Sequence, residues 1–279
     1  MIFVSMILLQ KQDYHKVTEH LRQIKVNHLF ARFIIEQKVD GKVFVDNPEN
    51  PTTFYILHPY SMSLLFGNVD NIEFNSALVA YLLNTDKHRQ TFEWLQAPEK
   101  KWQAFLSDTV GDRFVAVEEN RGAVNDKIEV TTRVNFKFNK EKYEAISAMI
   151  PVDKHVVRTD TAHYDAIRGA VIPENFWNSR DDFFENGVGF TSLSDNEVAS
   201  TAFSSFIFDD TLEIGIETAQ PHKGKGYAFA ACSALINYCI EKNYEPVWSC
   251  KKDNIGSYRL ACRLGFEPTF TLPFYRLNY

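Results

Sequence analysis

Residues 213–242 read Glu-Ile-Gly-Ile-Glu-Thr, then Ala-Gln-Pro-His-Lys-Gly-Lys-Gly, then Tyr-Ala-Phe-Ala-Ala-Cys-Ser-Ala-Leu-Ile-Asn-Tyr-Cys-Ile-Glu-Lys. The pattern is a strand, a loop with two glycines, and a long helix. Ala228, Ala231, Leu235 and Tyr238 recur at helical spacing. The small residues Ala228, Ala230, Ala231 and Ala234 let that helix lie close against a sheet. The first turn of any helix leaves N–H groups unpaired, and its dipole adds about half a positive charge there. Such an end binds phosphate. Gly224 and Gly226 let the backbone approach a pyrophosphate, and Lys223 and Lys225 add charge. No Ser, Thr, Asp or Asn stands before the helix as a cap, a place that a bound anion can take. The loop lacks the Lys-Ser/Thr ending of a nucleoside-triphosphate loop. It also lacks the third glycine of a dinucleotide-binding turn.

Working outward, three strands precede the loop: residues 188–193, 198–208 and 212–218. Asp195-Asn196 and Asp209-Asp210 are turns between them, so the strands form an antiparallel meander. After the helix come a strand at 247–250, a helix at 254–264 and a final strand at 271–277. Before the meander, the pattern predicts a strand at 155–158 and a helix over 173–186 followed by Gly187 and Gly189. The first half is mixed. A mostly helical stretch over 14–37 ends at Gly41, and strands follow at 42–45, 53–57 and 61–66. Helices are expected at 71–83 and from Ala97-Pro98 through Leu106, then strands at 113–117 and 128–138. A boundary is expected near 139–151, giving domains 1–140 and 141–279. The strand and helix order of the first echoes the second without a Gly-x-Gly loop, as a degenerate copy would.

The bulk numbers fit a globular chain of one large or two ordinary domains: 279 residues, 45% hydrophobic and 24% charged. A net charge of -6 disfavours nucleic acid or an anionic membrane as the partner. No apolar run approaches the roughly 18 residues of a membrane helix. Residues 1–9 are apolar but lack a preceding positive charge and a cleavage site, so they read as a first strand or helix start. None of the cysteines 232, 239, 250 and 262 forms a C-x-x-C pair, and the histidines show no ligand spacing, so no metal is expected. Cys232 and Cys239 share one helix, about 10 Å apart along its axis, too far to bridge. Reduced thiols suit a cytoplasmic protein.

From about residue 188 onward the chain resembles the GNAT superfamily of acyl-CoA N-acyltransferases, in a bacterial branch with an extra N-terminal domain. Lys223 to Ala228 is similar to that superfamily's pyrophosphate loop, Asn254, Ser257 and Leu260 sit at its spacing on the next helix, and Leu264-Gly265-Phe266 ends that helix as the family's Leu-Gly-Phe does. The resemblance implies a C-terminal mixed, mostly antiparallel sheet flanked by helices, beside an N-terminal α/β domain: α/β (α+β) in class. It implies acetyl-CoA as acyl donor and a primary amine of a small molecule or peptide as acceptor, with a homodimer allowed. The pyrophosphate falls to Lys223, Gly224, Lys225, Gly226, Tyr227 and Ala228, and the pantetheine arm to the backbone at Ile216 and Thr218 and to Asn254 and Ser257. Asn254 reads equally as a helix cap. Glu213 matches a strand glutamate of many relatives and is the expected base. Glu217, four residues on and on the same face, is a neighbouring carboxylate. The chain departs from the pattern at Pro221, where an Arg or Gln usually opens the loop, and at Ala261, where many relatives carry the tyrosine that protonates the leaving thiolate. Tyr258 and Cys262 are its neighbours, and Tyr258 is the expected substitute. A non-catalytic acyl-CoA sensor or an interaction protein on the same fold is the alternative.

Overall fold

The structure is a computed structural model that describes residues 6–116, 127–149 and 154–279. Its elements in the first half are β1 (Ile7–Leu8), α1 (Thr18–Arg22), α2 (Leu29–Ile35), β2 (Lys42–Val45), β3 (Thr53–Leu57), β4 (Met62–Gly67), α3 (Ile72–Leu82), β5 (Glu93–Gln96), α4 (Lys100–Val110), β6 (Phe114–Ala116) and β7 (Ile128–Phe138). There follow α5 (Lys140–Met149), β8 (His155–Arg158), α6 (Thr161–Ala166), α7 (Arg180–Asn186), β9 (Gly189–Ser194), β10 (Glu197–Phe208), β11 (Thr211–Thr218), α8 (Tyr227–Lys242), β12 (Glu245–Lys251), α9 (Ile255–Arg263) and β13 (Phe266–Leu277). The class is mixed α/β, with mostly antiparallel sheet flanked by helices.

The chain divides into two compact units: Met1–Arg133 with Lys251–Asp253 and Thr271–Tyr279, and Val134–Cys250 with Asn254–Phe270. In the first, the strand order runs β1-β2-β3-β4-β5, and β5 pairs antiparallel with residues 274–277 of β13. Its core gathers Tyr55, Leu65, Phe74, Leu78, Trp102 and Leu106. In the second, the order is β7-β12-β11-β10-β9-β8. Here β8 to β11 are antiparallel, and β11 runs parallel to β12. Asp195 and Asn196 both take positive φ (51° and 66°), the left-handed pair of a tight hairpin turn, which short polar side chains tolerate.

Helix α8 presents Ala231, Cys232, Leu235, Ile236 and Cys239 to Leu212, Ile214, Ala202 and Trp248 of the sheet. Ala230 and Ala231 are 2% and 0% exposed, so their small size sets how closely the helix lies. At the end of α9, Gly265 (φ 84°) is left-handed and Phe266 packs back, fully buried. A Cβ on Gly265 would lie 2.8 Å from the Tyr143 backbone, so close approach adds to the demand for glycine.

Several expected elements differ. The helix expected over 14–37 is a 3-10 turn and two short helices, because Asn27 accepts from Leu29 N–H at 3.2 Å and restarts the chain. The helix over 173–186 is likewise divided: Pro173–Asn175 is a 3-10 turn, and Ser179 caps α7 by accepting from Asp182 N–H. Gly187 ends α7 in extended conformation, and its size answers to Trp177 and Phe183, which a Cβ would meet within 3.0 Å. Pro98 precedes α4 instead of opening it. The strand β5 and helix α5 were not expected; Glu-Trp-Leu-Gln is too short and too polar-ended to show a period, and its burial comes from flanking strands. The strand-or-helix reading over residues 1–5, the strand reading at Val117, and residues 150–151 of the boundary stretch lie outside the described residues.

Candidate active site

The ladder between β11 and β12 is short. Thr211, Leu212 and Glu213 pair with Glu245, Pro246 and Val247, and pairing stops there. From Ile214 on, β11 stays paired with β10 through Ser200↔Thr218, while β12 leaves it. A gap therefore opens between two parallel strands, with its vertex at Glu213. Ala219 N–H donates to Ala199 O at 2.9 Å on the β10 side. Antiparallel alternation then turns the N–H and C=O of Thr218 and Ile216 the other way, toward the gap. Thr218 N–H already donates to Glu217 Oε1 at 3.2 Å, and its hydroxyl pairs with Ser200. Among the expected backbone contacts, Ile216 is thus the one turned to the gap without a side-chain partner.

The loop after β11 runs into α8 through two left-handed glycines, Gly224 (φ 75°) and Gly226 (φ 89°). An added Cβ at either would meet nothing within 4 Å. Backbone conformation, not crowding, is what requires glycine here, and the space in front is open. Gly226 is the N-cap residue and supplies no side-chain cap. The first intrahelical bond is Ala230 N–H to Gly226 O at 3.1 Å, so the N–H groups of Tyr227, Ala228 and Phe229 lie ahead of the ladder. Lys223 and Lys225 are exposed beside them. The ring of Tyr227 is flanked by His222 (centroids 5.2 Å apart) and by the Lys154 ammonium at 5.2 Å. Lys154 escaped the sequence reading: a lone lysine before a strand carries no local signal of a loop seventy residues on.

Leu212 and Ile214 face α8, so alternation puts Glu213, Gly215 and Glu217 on the opposite face. Gly215 shows the reason for its type: a Cβ would come within 2.5 Å of the Phe203 ring. Glu213 is 9% exposed, and Ser249 of β12 donates its hydroxyl to Glu213 Oε1 at 3.1 Å. Ser249 was also missed; only the register of β12 brings it there.

Glu217 is committed elsewhere. Its Oε2 accepts from Ala170 N–H at 2.9 Å and Val171 N–H at 3.0 Å, holding the segment after α6 against the end of β11. Gly169 (φ 147°) lets that segment pass, since a Cβ would lie 2.3 Å from the Glu217 carboxyl. Glu217→Ala is expected to speed hydrogen exchange at Ala170 and Val171 about tenfold, the scale of one charge-assisted hydrogen bond. Exchange that stays unchanged would mean the segment is held by other contacts.

On α9, Asn254 is the N-cap: its side chain accepts from Ser257 N–H at 3.1 Å. Ser257 Oγ accepts from the Trp248 indole N–H at 3.1 Å and so ties α9 to β12. Tyr258 is half-buried against the core on the α8 face, its ring 5.3 Å from that of Phe136. Ala261 is fully buried in the same core, so a tyrosine could enter there only by displacing its neighbours. Glu213 and Tyr258 thus lie on opposite faces of the sheet.

Among the described residues, no group of three or more His, Cys, Asp or Glu is placed to hold a metal, all four cysteines are free, and no helix is long and apolar enough to cross a membrane.

The family model for GNAT acetyltransferase matches residues 19–275, and the chain belongs to that family. An uncharacterized N-acetyltransferase, YdfB of Bacillus subtilis (strain 168), is 25% identical over 241 residues, 85% of this chain and 86% of its own. The fold is similar to that of a GCN5-related N-acetyltransferase-like protein from Streptococcus suis 89/1591, with TM-score 0.69 at 18% identity over 94% of this chain and 98% of that one. It is also similar to a tandem GNAT protein from the clavulanic acid biosynthesis pathway, with TM-score 0.60 at 10% identity over 98% and 97% of the two chains.

Proposed function

We propose that the protein transfers an acetyl group from acetyl-CoA to a primary amine of a small molecule or peptide in the cytoplasm. The observation that carries this reading is the parting of β11 and β12 immediately after Glu213↔Val247, next to the uncapped start of α8. The N–H groups of Tyr227, Ala228 and Phe229, reached past Gly224 and Gly226, take the pyrophosphate, and Lys223 and Lys225 add charge. The pantetheine arm then lies in the gap, along the Ile216 backbone. Asn254 and Ser257 border it through the start of α9, which they build.

Glu213 acts as base from the acceptor face. The amine nitrogen attacks the thioester carbonyl carbon; the C–N bond forms, the C–S bond breaks, and the amine's proton passes to Glu213, directly or through a water. The Ser249 hydroxyl orients the carboxylate. The gap-facing N–H of Ile216 stabilises charge that develops on the carbonyl oxygen. Tyr258, on the other face, returns a proton to the departing thiolate. Glu217 positions the segment at Ala170 and Val171 and takes no part in proton transfer.

A panel of primary amines incubated with acetyl-CoA, with free thiol as readout, tests the reading. Amine-dependent thiol release is expected from the wild type. The second reading, a non-catalytic acyl-CoA sensor, is favoured by Ala261 and predicts donor binding with no thiol release for any amine.

A further inference from the structure

The first unit repeats the plan of the second. The order β2-β3-β4-α3-β5-α4 matches β9-β10-β11-α8-β12-α9, with an antiparallel meander and then a parallel pair in each. The parallel pairs even stop at the same length. Met62, Ser63 and Leu64 pair with Trp94, Leu95 and Gln96, as Thr211, Leu212 and Glu213 pair with Glu245, Pro246 and Val247. Register therefore equates Leu64 with Glu213, and, counting on from the vertex, Gly67 with Ile216.

At each equivalent point the first unit has lost what the second offers. Leu64 is a fully buried aliphatic residue where Glu213 carries its carboxylate. Asn68 N–H donates to Thr52 O on the β3 side, so Gly67 turns its own N–H and C=O toward the gap, as Ile216 does. Both groups are taken. Gly67 N–H donates to Glu99 Oε2 at 2.8 Å, and Gly67 C=O accepts from the Trp102 indole at 3.0 Å. Trp102 is fully buried. The loop to α3 is residues 68–71, half as long as residues 219–226, and has no glycine. Its Asn71 caps the helix by accepting from Phe74 N–H at 2.9 Å, and Glu73 puts a negative charge in the first turn. A phosphate would meet a filled cap and a like charge there.

We infer that the first unit is a second copy of the acyltransferase plan whose donor gap is plugged by its own Glu99 and Trp102, so that the chain binds one acyl-CoA. The inference rests on reading the gap between β11 and β12 as the donor site. The Glu99 carboxylate occupies, on Gly67, the place the acyl donor takes on Ile216.

Two measurements on the full chain test it. Calorimetric titration with acetyl-CoA is expected to give one equivalent per chain, with donor-induced slowing of hydrogen exchange within 216–229 and none within 67–74. Glu99→Ala is expected to speed exchange at Gly67 about tenfold, and Glu99→Gln, which keeps an acceptor oxygen, to restore most of the protection. Two equivalents, or donor-induced protection at 67–74, would overturn the inference. So would Gly67 exchange that ignores the loss of the Glu99 carboxylate. Absence of any binding would overturn the donor reading and with it the count of one, while the Glu99 comparison reads the plug without a donor.

Discussion

Gly226→Glu is expected to weaken acetyl-CoA binding by at least a hundredfold while leaving the chain folded. Two effects act together. Gly226 sits at φ 89°, where a residue with a Cβ costs about 1–2 kcal/mol. That cost is affordable for the fold, because nothing lies within 4 Å of the new Cβ and a carboxylate at a helix start is favourable for the helix itself. The same carboxylate reaches the N–H groups of Ala228 and Phe229, which the proposed pyrophosphate site uses. It also repels the phosphate, by about 4 kcal/mol for unit charges 4 Å apart near a protein surface. A penalty of that size corresponds to roughly a thousandfold in affinity. Gly226→Ala puts a Cβ into the open space before the loop and omits the charge, so an intermediate loss is expected. Calorimetric titration reads all three proteins. Equal affinity in wild type and Gly226→Glu would place the coenzyme elsewhere.

The second large effect is expected at the vertex of the gap. Glu213→Gln should lower kcat by about 10²–10⁴, the usual worth of a positioned general base. The amide oxygen can still accept from Ser249, so local structure and acetyl-CoA affinity should be unchanged. Affinity that fell together with kcat would recast Glu213 as a binding or structural residue. Tyr258→Phe is the matching test on the other face. It keeps the ring contact with Phe136 and removes only the hydroxyl. A slower thiol release with unaltered donor affinity assigns the proton to Tyr258; full activity would leave it to water or another group.

Much of the second unit is legible from local signals. Asp195-Asn196 and Asp209-Asp210 mark their turns because short polar side chains tolerate the left-handed conformation found at Asp195, Asn196 and Asp209. The glycines at 224 and 226 mark theirs for the same backbone reason, and Asn254 announces the start of α9. Where long helices were expected and short ones stand, the interrupting side chains Asn27 and Ser179 were present in the sequence, but a run of apolar residues at helical spacing outweighed them. Tyr258 and Ala261 illustrate the opposite problem. Their spacing on α9 is plain from the sequence, yet which of them enters the core depends on how the helix is turned against β7 and β12.

By itself, then, the sequence determined the order of strands and helices around residues 188–279, the glycine-bearing turn that leads into α8, and the alternation that puts Glu213 and Glu217 on one face. These follow from φ preferences and from the periods of strand and helix, which are properties of neighbouring residues. Only the tertiary structure decided that β11 and β12 part after Glu213, that Ser249 serves Glu213, and that Glu217 is spent on Ala170 and Val171. It alone decided that Glu99 and Trp102 hydrogen-bond to the Gly67 backbone, and that residues 271–279 return to the first unit. Each of these joins groups distant in the chain through strand register, and register is set by pairing and burial across the whole sheet, so no local stretch of residues encodes it.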